Sequence, residues 1–493
     1  MNYSKLIRQG GLFATTCLLF IIMAVWLLQN NYISDDAQYK LATIRAFLDS
    51  DSLRLESLGF EHPQGPILAL LPFYLIPWLQ SVAPFALSIV TTAALIVLWY
   101  KQLAEAGYSL PQQVILLILI VINPAILWSA TSGGDEAISL LLFYLLYRST
   151  LRVIYDKDIR SFMAFGLVIA AFIYFDVASV YLLIVLLPLL LFIVPIPLLR
   201  ESPLSIMIII GMPMMIISVT WIYFNWIFFG EPLAFLNTYG SAFTGAITQA
   251  ETLPWLRDFG GQLALPTIIG LAYAIACYPV LLLLAWRHIV SRQELRVHLI
   301  LMLYPVISIG IATLTYFLAS PLQITALIMA SVMAELGRTG FGKTSYMAPL
   351  ILLLSIGTAT SWVLYVKDEY SPVHKWTLAL SKAQENNLGS DSTLGHWLAV
   401  NRLPTMIDFQ SGYKAIVARG DAYGLLLPFS NEYRLAIRSD RPNVPQIAVP
   451  EPDTTQGRRD KINARFPHLY ESGMPGYKRV YDEYGWRIYR RIN

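Results

Sequence analysis

Stretches of about 20 apolar residues recur along the first three-quarters of the chain, and that is the length at which a helix crosses the hydrocarbon core of a bilayer. About eleven are readable, near 10–29, 84–100, 110–130, 137–155, 161–175, 178–198, 203–228, 263–286, 297–318, 322–337 and 344–366. Backbone inside lipid must satisfy its own hydrogen bonds, so such stretches fold as helices. The first is too long for a cleavable signal and lacks a small-residue cleavage site before Asp35. Only 14% of the 493 residues are charged, against roughly 25% in soluble domains. A purely soluble enzyme, a disordered chain and a nucleic-acid binder are excluded, and a net charge of +3 calls for no polyanionic partner.

Charge then divides the chain. Residues 1–366 carry 35 of the 67 Asp, Glu, Lys and Arg, and the remaining 32 are concentrated in 367–493. The pattern predicts a membrane domain over 1–366, a linker over 367–389 and a small soluble α/β domain over 390–493. Within the last, Ala415–Ala418, Gly424–Leu427 and Arg487–Tyr489 read as short strands, and Arg458, Arg459 and Lys461 as a solvated basic face. Cys17 and Cys277 both lie in apolar runs and define neither a disulfide framework nor a zinc site.

Basic residues orient the bundle. With Lys5 and Arg8 in the cytoplasm, inner segments hold thirteen Lys and Arg and outer loops only Lys40, Arg45, Arg54 and Arg257. An odd number of spans places the C-terminal domain outside an inner (plasma) membrane, in the periplasm or beyond the cell. Asp35, Asp36, Asp49, Glu56, Glu61, Asp135, Glu136 and Asp176 fall on the same outer side. Acids contribute little to insertion, so this collection needs another cause.

The first outer loop, about 29–84, is too long for a plain connector. Apolar spacing over Tyr39–Leu58 and again over Pro66–Leu79 predicts amphipathic juxtamembrane helices lying at the membrane surface. Three polar clusters face this compartment: Ser34-Asp35-Asp36-Ala37-Gln38-Tyr39, His62-Pro63-Gln64-Gly65-Pro66 and Ser132-Gly133-Gly134-Asp135-Glu136.

An acidic pair with a Tyr three residues on, a His-Pro turn later in the same loop and an acid in the second outer loop resemble the GT-C glycosyltransferases, with protein O-mannosyltransferases and lipid A aminoarabinose transferases the nearest groups. The usual pair there is Asp-Glu-x-x-Tyr, here Asp35-Asp36-Ala37-Gln38-Tyr39; the usual turn is His-Pro-Pro or Lys-Pro-Pro, here His62-Pro63-Gln64. The resemblance covers the membrane domain, best over 1–140. It implies an inverting transfer of a hexose or pentose from a polyprenyl-phosphate donor to a glycan, lipid or protein acceptor. It also implies Asp35 as general base, Asp36 as its partner, and Asp135, Glu136, Tyr39 and His62 around the acceptor or sugar.

Each assignment has a plainer counterpart. Asp35 and Asp36 also suit the first turn of a surface helix, and Ser132 to Glu136 suits the cap of the next span. His62 also suits a Pro-Gly turn. For the donor phosphate the outer cations are Lys40, Arg45, Arg54 and Arg257, the last equally readable as a snorkelling Arg beside Trp255. No cofactor is implied; a divalent metal between Asp35, Asp135 and His62 is conceivable chemically, but no ligand spacing supports it. The competing functions are a non-catalytic membrane scaffold and a multi-span polysaccharide polymerase or ligase, the latter poorly matched by so acidic an outer surface.

Overall fold

An apolar helix continues until a polar, Gly or Pro residue stops it, and these stops shape the bundle. The computed structural model describes residues 3–49, 54–60, 62–156, 158–176, 201–237, 272, 275–291, 321–337, 344–367, 372–382, 389–454 and 456–492. Among the described residues five helices are long and apolar enough to cross a membrane: α1 (Tyr3–Gln29), α4 (Ala83–Glu105), α7 (Glu136–Tyr155), the Pro203–Phe229 helix and the Thr344–Lys367 helix. The predicted stretches at 178–198 and 297–318 lie outside the described residues, and of 263–286 little before the Val280–Ser291 helix is described.

The stretch predicted as one span over 110–130 is instead broken. α5 (Leu110–Val121) and α6 (Pro124–Thr131) meet at a bend of 67°. Pro124 has no N–H for the helical ladder, and the Asn123 side chain caps the new helix by accepting from the Ala125 N–H at 3.0 Å. The carbonyl freed at Ile122 accepts from the Trp362 indole at 3.1 Å. Counting the bent pair as one gives six spans among the described residues.

Close helix packing follows from small residues. α8 (Ile159–Phe175) lies against the Pro203–Phe229 helix at Gly166, where a Cβ would meet the Ile210 carbonyl at 2.8 Å. The Pro321–Leu336 helix is tied to α4 by Trp99, whose indole donates to the Met333 carbonyl at 2.7 Å.

The first loop forms helices in both stretches expected to be helical, with shifted bounds. α2 spans Asp35–Leu48, starting four residues before the predicted Tyr39, because Ser34 accepts from the Ala37 N–H at 3.1 Å. A short 3-10 turn at Leu55–Leu58 and α3 (Gly65–Tyr74) follow. α2 is covered by protein on two flanks. Leu41 and Ile44 pack with Leu58, Phe60, Ile67 and Leu70, while Ala42 and Ala46 pack with Leu394, Leu398 and Ile416 of the soluble part. The alanines leave room for a helix to approach.

The C-terminal part holds a five-stranded mixed sheet, ordered across it as Leu425–Leu426, Thr405–Met406, Gln446–Pro450, Trp486–Arg491 and Tyr477–Glu483. Its strands are β1 (Thr405–Met406), β2 (Leu425–Leu426), β3 (Gln446–Pro450), β4 (Tyr477–Glu483) and β5 (Trp486–Arg491). β1 runs parallel to β2 and β3, and the β3–β5 and β5–β4 pairs are antiparallel. The predicted strand at Ala415–Ala418 is a helix, Phe409–Arg419. Phe409, Gly412, Ala415, Ile416 and Arg419 are buried with helical spacing, and Gly420 closes it at φ +94°.

That docking helix meets α2. Arg45 donates to the Val417 carbonyl at 2.6 Å and the Ile416 carbonyl at 3.3 Å. The Asp49 carboxylate accepts from the Ala422 N–H at 3.0 Å. Arg54 donates to the Phe429 carbonyl and to Asn431, each at 3.1 Å.

Candidate functional site

The first turn of α2 turns its adjacent acids in opposite directions. Asp36 accepts from Lys40, one turn on, at 2.7 Å, and from the backbone N–H of Asp135 at 3.0 Å. Lys40 also donates to the Asp135 carboxylate. Two carboxylates thus share one ammonium, and the loop between α6 and α7 is fastened to the start of α2. The approach depends on Gly133, at φ +72°, where a Cβ would stand 3.1 Å from that of Ala37 and 3.2 Å from that of Pro84. Behind it Ser132 donates to Glu136 at 2.8 Å and accepts from the Gly134 N–H at 3.0 Å.

The electrostatics of this network favour a charged lysine. The Lys40 side chain is 5% exposed, against 42% for Asp36 and 30% for Asp135. Burial disfavours the Lys40 charge, but Asp135 and Asp36 outweigh it and hold the ammonium above its ordinary pKa. Burial and the Asp36 carboxylate push the Asp135 carboxyl up, against the pull of Lys40.

Asp35 faces the other way, toward the soluble part. Its carboxylate lies 2.7 Å from the Lys414 ammonium, on the docking helix, and 3.8 Å from that of Lys375, on the Pro372–Leu380 helix. Burial raises its pKa, yet the two ammoniums overcome this and bring it below the ordinary carboxylate value. With its side chain 56% exposed, Asp35 is an accessible anion between two cations.

Tyr39 lies one turn beyond. Its ring is 5.0 Å from that of His62, 5.5 Å from Phe409 and 5.7 Å from Tyr413. His62 sits in a turn held by Gln64, whose side-chain amide donates to the Gly59 and His62 carbonyls at 2.9 Å. Gln64, the departure from the His-Pro-Pro pattern, thus locks this turn through a side chain that a proline lacks.

The structure therefore brings Asp36, Lys40 and Asp135 into one network, with Glu136 behind it, and sets Asp35, Tyr39 and His62 on its flank. Lys40 is consumed by carboxylates, and Arg45 faces the carbonyls of the docking helix. Arg257 lies outside the described residues. Among the described residues no three of His, Cys, Asp and Glu gather as metal ligands. Sequence reasoning missed Lys375 and Lys414, which belong to no motif. Their one signal is indirect: residues 367–493 are rich in charge, so a segment packed against the acids brings its own cations there.

A helical bundle with a long first loop, a carboxylate network at one end and a small mixed sheet beside it has a counterpart among solved structures. The chain is similar to the crystal structure of ArnT from Cupriavidus metallidurans bound to undecaprenyl phosphate, at a TM-score of 0.54 and 11% identity, over 96% of this chain and 98% of that one. At this identity the likeness establishes the fold alone. No protein-family model matches the chain, and no curated protein does.

Proposed function

We propose that this protein is an inverting glycosyltransferase of the membrane, moving a sugar from a polyprenyl-phosphate donor to an acceptor on the side that bears the soluble domain. The reading is carried by one observation: Asp35, accessible and at the head of α2, is flanked by Lys414 at 2.7 Å and Lys375 at 3.8 Å. The GT-C fold and a neighbour bound to undecaprenyl phosphate support the choice of donor.

The chemistry needs a base and a cation close together. An acceptor hydroxyl gives its proton to the Asp35 carboxylate as its oxygen bonds to the anomeric carbon. The bond from that carbon to the phosphate oxygen breaks, and polyprenyl phosphate departs with the electron pair. Its charge grows from one to about two negatives as a diester becomes a monoester, so a fixed ammonium stabilises the transition state. Lys375 and Lys414 take that role in this proposal. Asp36, Asp135 and Glu136 hold the floor of the site and line the sugar or acceptor, with Lys40 keeping the first two together. The proposed setting is an inner membrane, with residues 390–493 outside it.

The test uses the full-length protein in nanodiscs, a panel of radiolabelled polyprenyl-phosphate hexoses and pentoses, and extracted cell envelope as acceptor. Label should move to the acceptor and Asp35→Asn should lower turnover by about 10²–10⁴-fold. A variant as active as the parent removes Asp35 from catalysis. Failure to release lipid phosphate from any donor returns the protein to the scaffold class.

A further inference from the structure

A second recess opens beside Tyr39, with a cavity of about 370 Å³. That lies in the range of roughly 300–1,000 Å³ typical of small-ligand sites. Three parts of the chain wall it: the first loop through Glu56 and Gly59, the end of the Pro203–Phe229 helix through Phe228 and Phe229, and the soluble part.

Two kinds of side chain dominate the lining. The first is aromatic: Tyr39, Phe228, Phe409 and Phe429 line it from both sides of the junction. The second is cationic: Arg434, Arg438 and Lys461. Arg434 is paired with Glu56. Among the described residues Arg438 and Lys461 make no ion pair, and both are exposed. Asp408, also in the wall, is fully buried and accepts from the Lys461 N–H at 2.8 Å. Its other oxygen has no hydrogen-bond partner among the described residues. Burial pushes the Asp408 carboxyl up, against the pull of the Lys461 ammonium.

Aromatic faces receive the C–H faces of sugar rings, and Arg and Lys receive carboxylate or phosphate oxygens. Phe228 and Phe229 also place the recess where the Pro203–Phe229 helix meets the C-terminal part. The Tyr39 ring links it to the acids, one helical turn from Asp35.

We infer that this recess binds an anionic saccharide, carboxylated or phosphorylated, as the acceptor of the transfer. The acceptor role rests on the glycosyltransferase reading above; the binding does not. Arg438 and Lys461 engage the anion, the aromatic rings hold the sugar, and Arg434 is kept in place by Glu56.

Titration calorimetry on the full-length protein in nanodiscs tests it with glucuronic acid, glucose 6-phosphate and glucose. At least one charged sugar should bind and glucose should not, and the better of the two identifies the anion. Arg438→Gln and Lys461→Gln should each weaken binding about tenfold. Both residues are exposed, so the variants should melt with the parent. Calorimetry needs no polyprenyl donor, so loss of transfer and loss of binding are read separately. Glucose binding as well as the charged sugars, full affinity in both variants, or no binding of any probe at about 10 mM overturns the assignment.

Discussion

Lys40 of α2 donates to Asp135 across 95 residues of sequence, and the same ammonium holds Asp36 at 2.7 Å. This contact makes one site of two loops. Without it, two carboxylates would face each other at the junction.

Replacing Lys40 by Met should therefore cost more than a surface ion pair does. Complete burial would put the loss at about 3–5 kcal/mol. Partial exposure of both acids reduces the expected loss to about 2 kcal/mol. Thermal unfolding of the protein in nanodiscs measures it. Adding Asp36→Asn and Asp135→Asn should recover part of the loss; no recovery would mean that the three groups do not act as a unit.

Lys414 should set the pH range of activity. It is the main influence drawing the Asp35 carboxyl down against burial. In Lys414→Met that carboxyl titrates at higher pH, and the acid limb of the rate profile should move upward with it. A lower maximal rate with an unmoved limb would assign Lys414 to the phosphate alone.

Gly133→Ala should loosen the site without touching a charged group. The residue sits at φ +72°, and the added methyl would press on Ala37 at 3.1 Å. A cost of about 1–2 kcal/mol is expected, with a matching fall in transfer rate. An unchanged melting temperature would show that the loop and α2 can separate freely.

The soluble part should lose stability as pH rises through neutrality. Burial, with Asp408 beside it, pushes the Asp460 carboxyl up to about 7. The unfolded carboxyl titrates near ~4, so the folded state holds the proton more tightly. Its stabilising effect is complete below ~4 and disappears as pH passes 7. Asp460→Asn should flatten this dependence, read by hydrogen exchange at the Ile462 and Asn463 amides, which donate to Asp460 at 2.8 Å. A slope identical to the parent's would place the titration elsewhere.

Much of the site was legible because a polar residue in so apolar a chain must be satisfied or used. Asp35, Asp36 and Asp135 stand out on that ground together with the resemblance of their clusters to the GT-C motifs. Their division of labour did not, since neighbouring acids on one helix turn are told apart only by partners from distant segments. Lys375 and Lys414 arrive through tertiary packing, with no local pattern to announce them. Ala415–Ala418 is a short apolar run whose period reads as strand or helix, and its packing against α2 and the Ser390–Val400 helix favours helix. The Asn123-Pro124 break carried its own signal, a cap residue before a proline, inside a stretch whose hydropathy suggested one straight rod.

The bend at Asn123 governs more than the path of a span. Trp376 donates from its indole to Thr131 at 3.0 Å, on the short limb beyond the bend. Lys375 is the preceding residue, so this limb works as a bracket that sets how far its ammonium stands from Asp35. A change that straightened the limb would misplace a cation of the site while leaving every residue in it chemically intact.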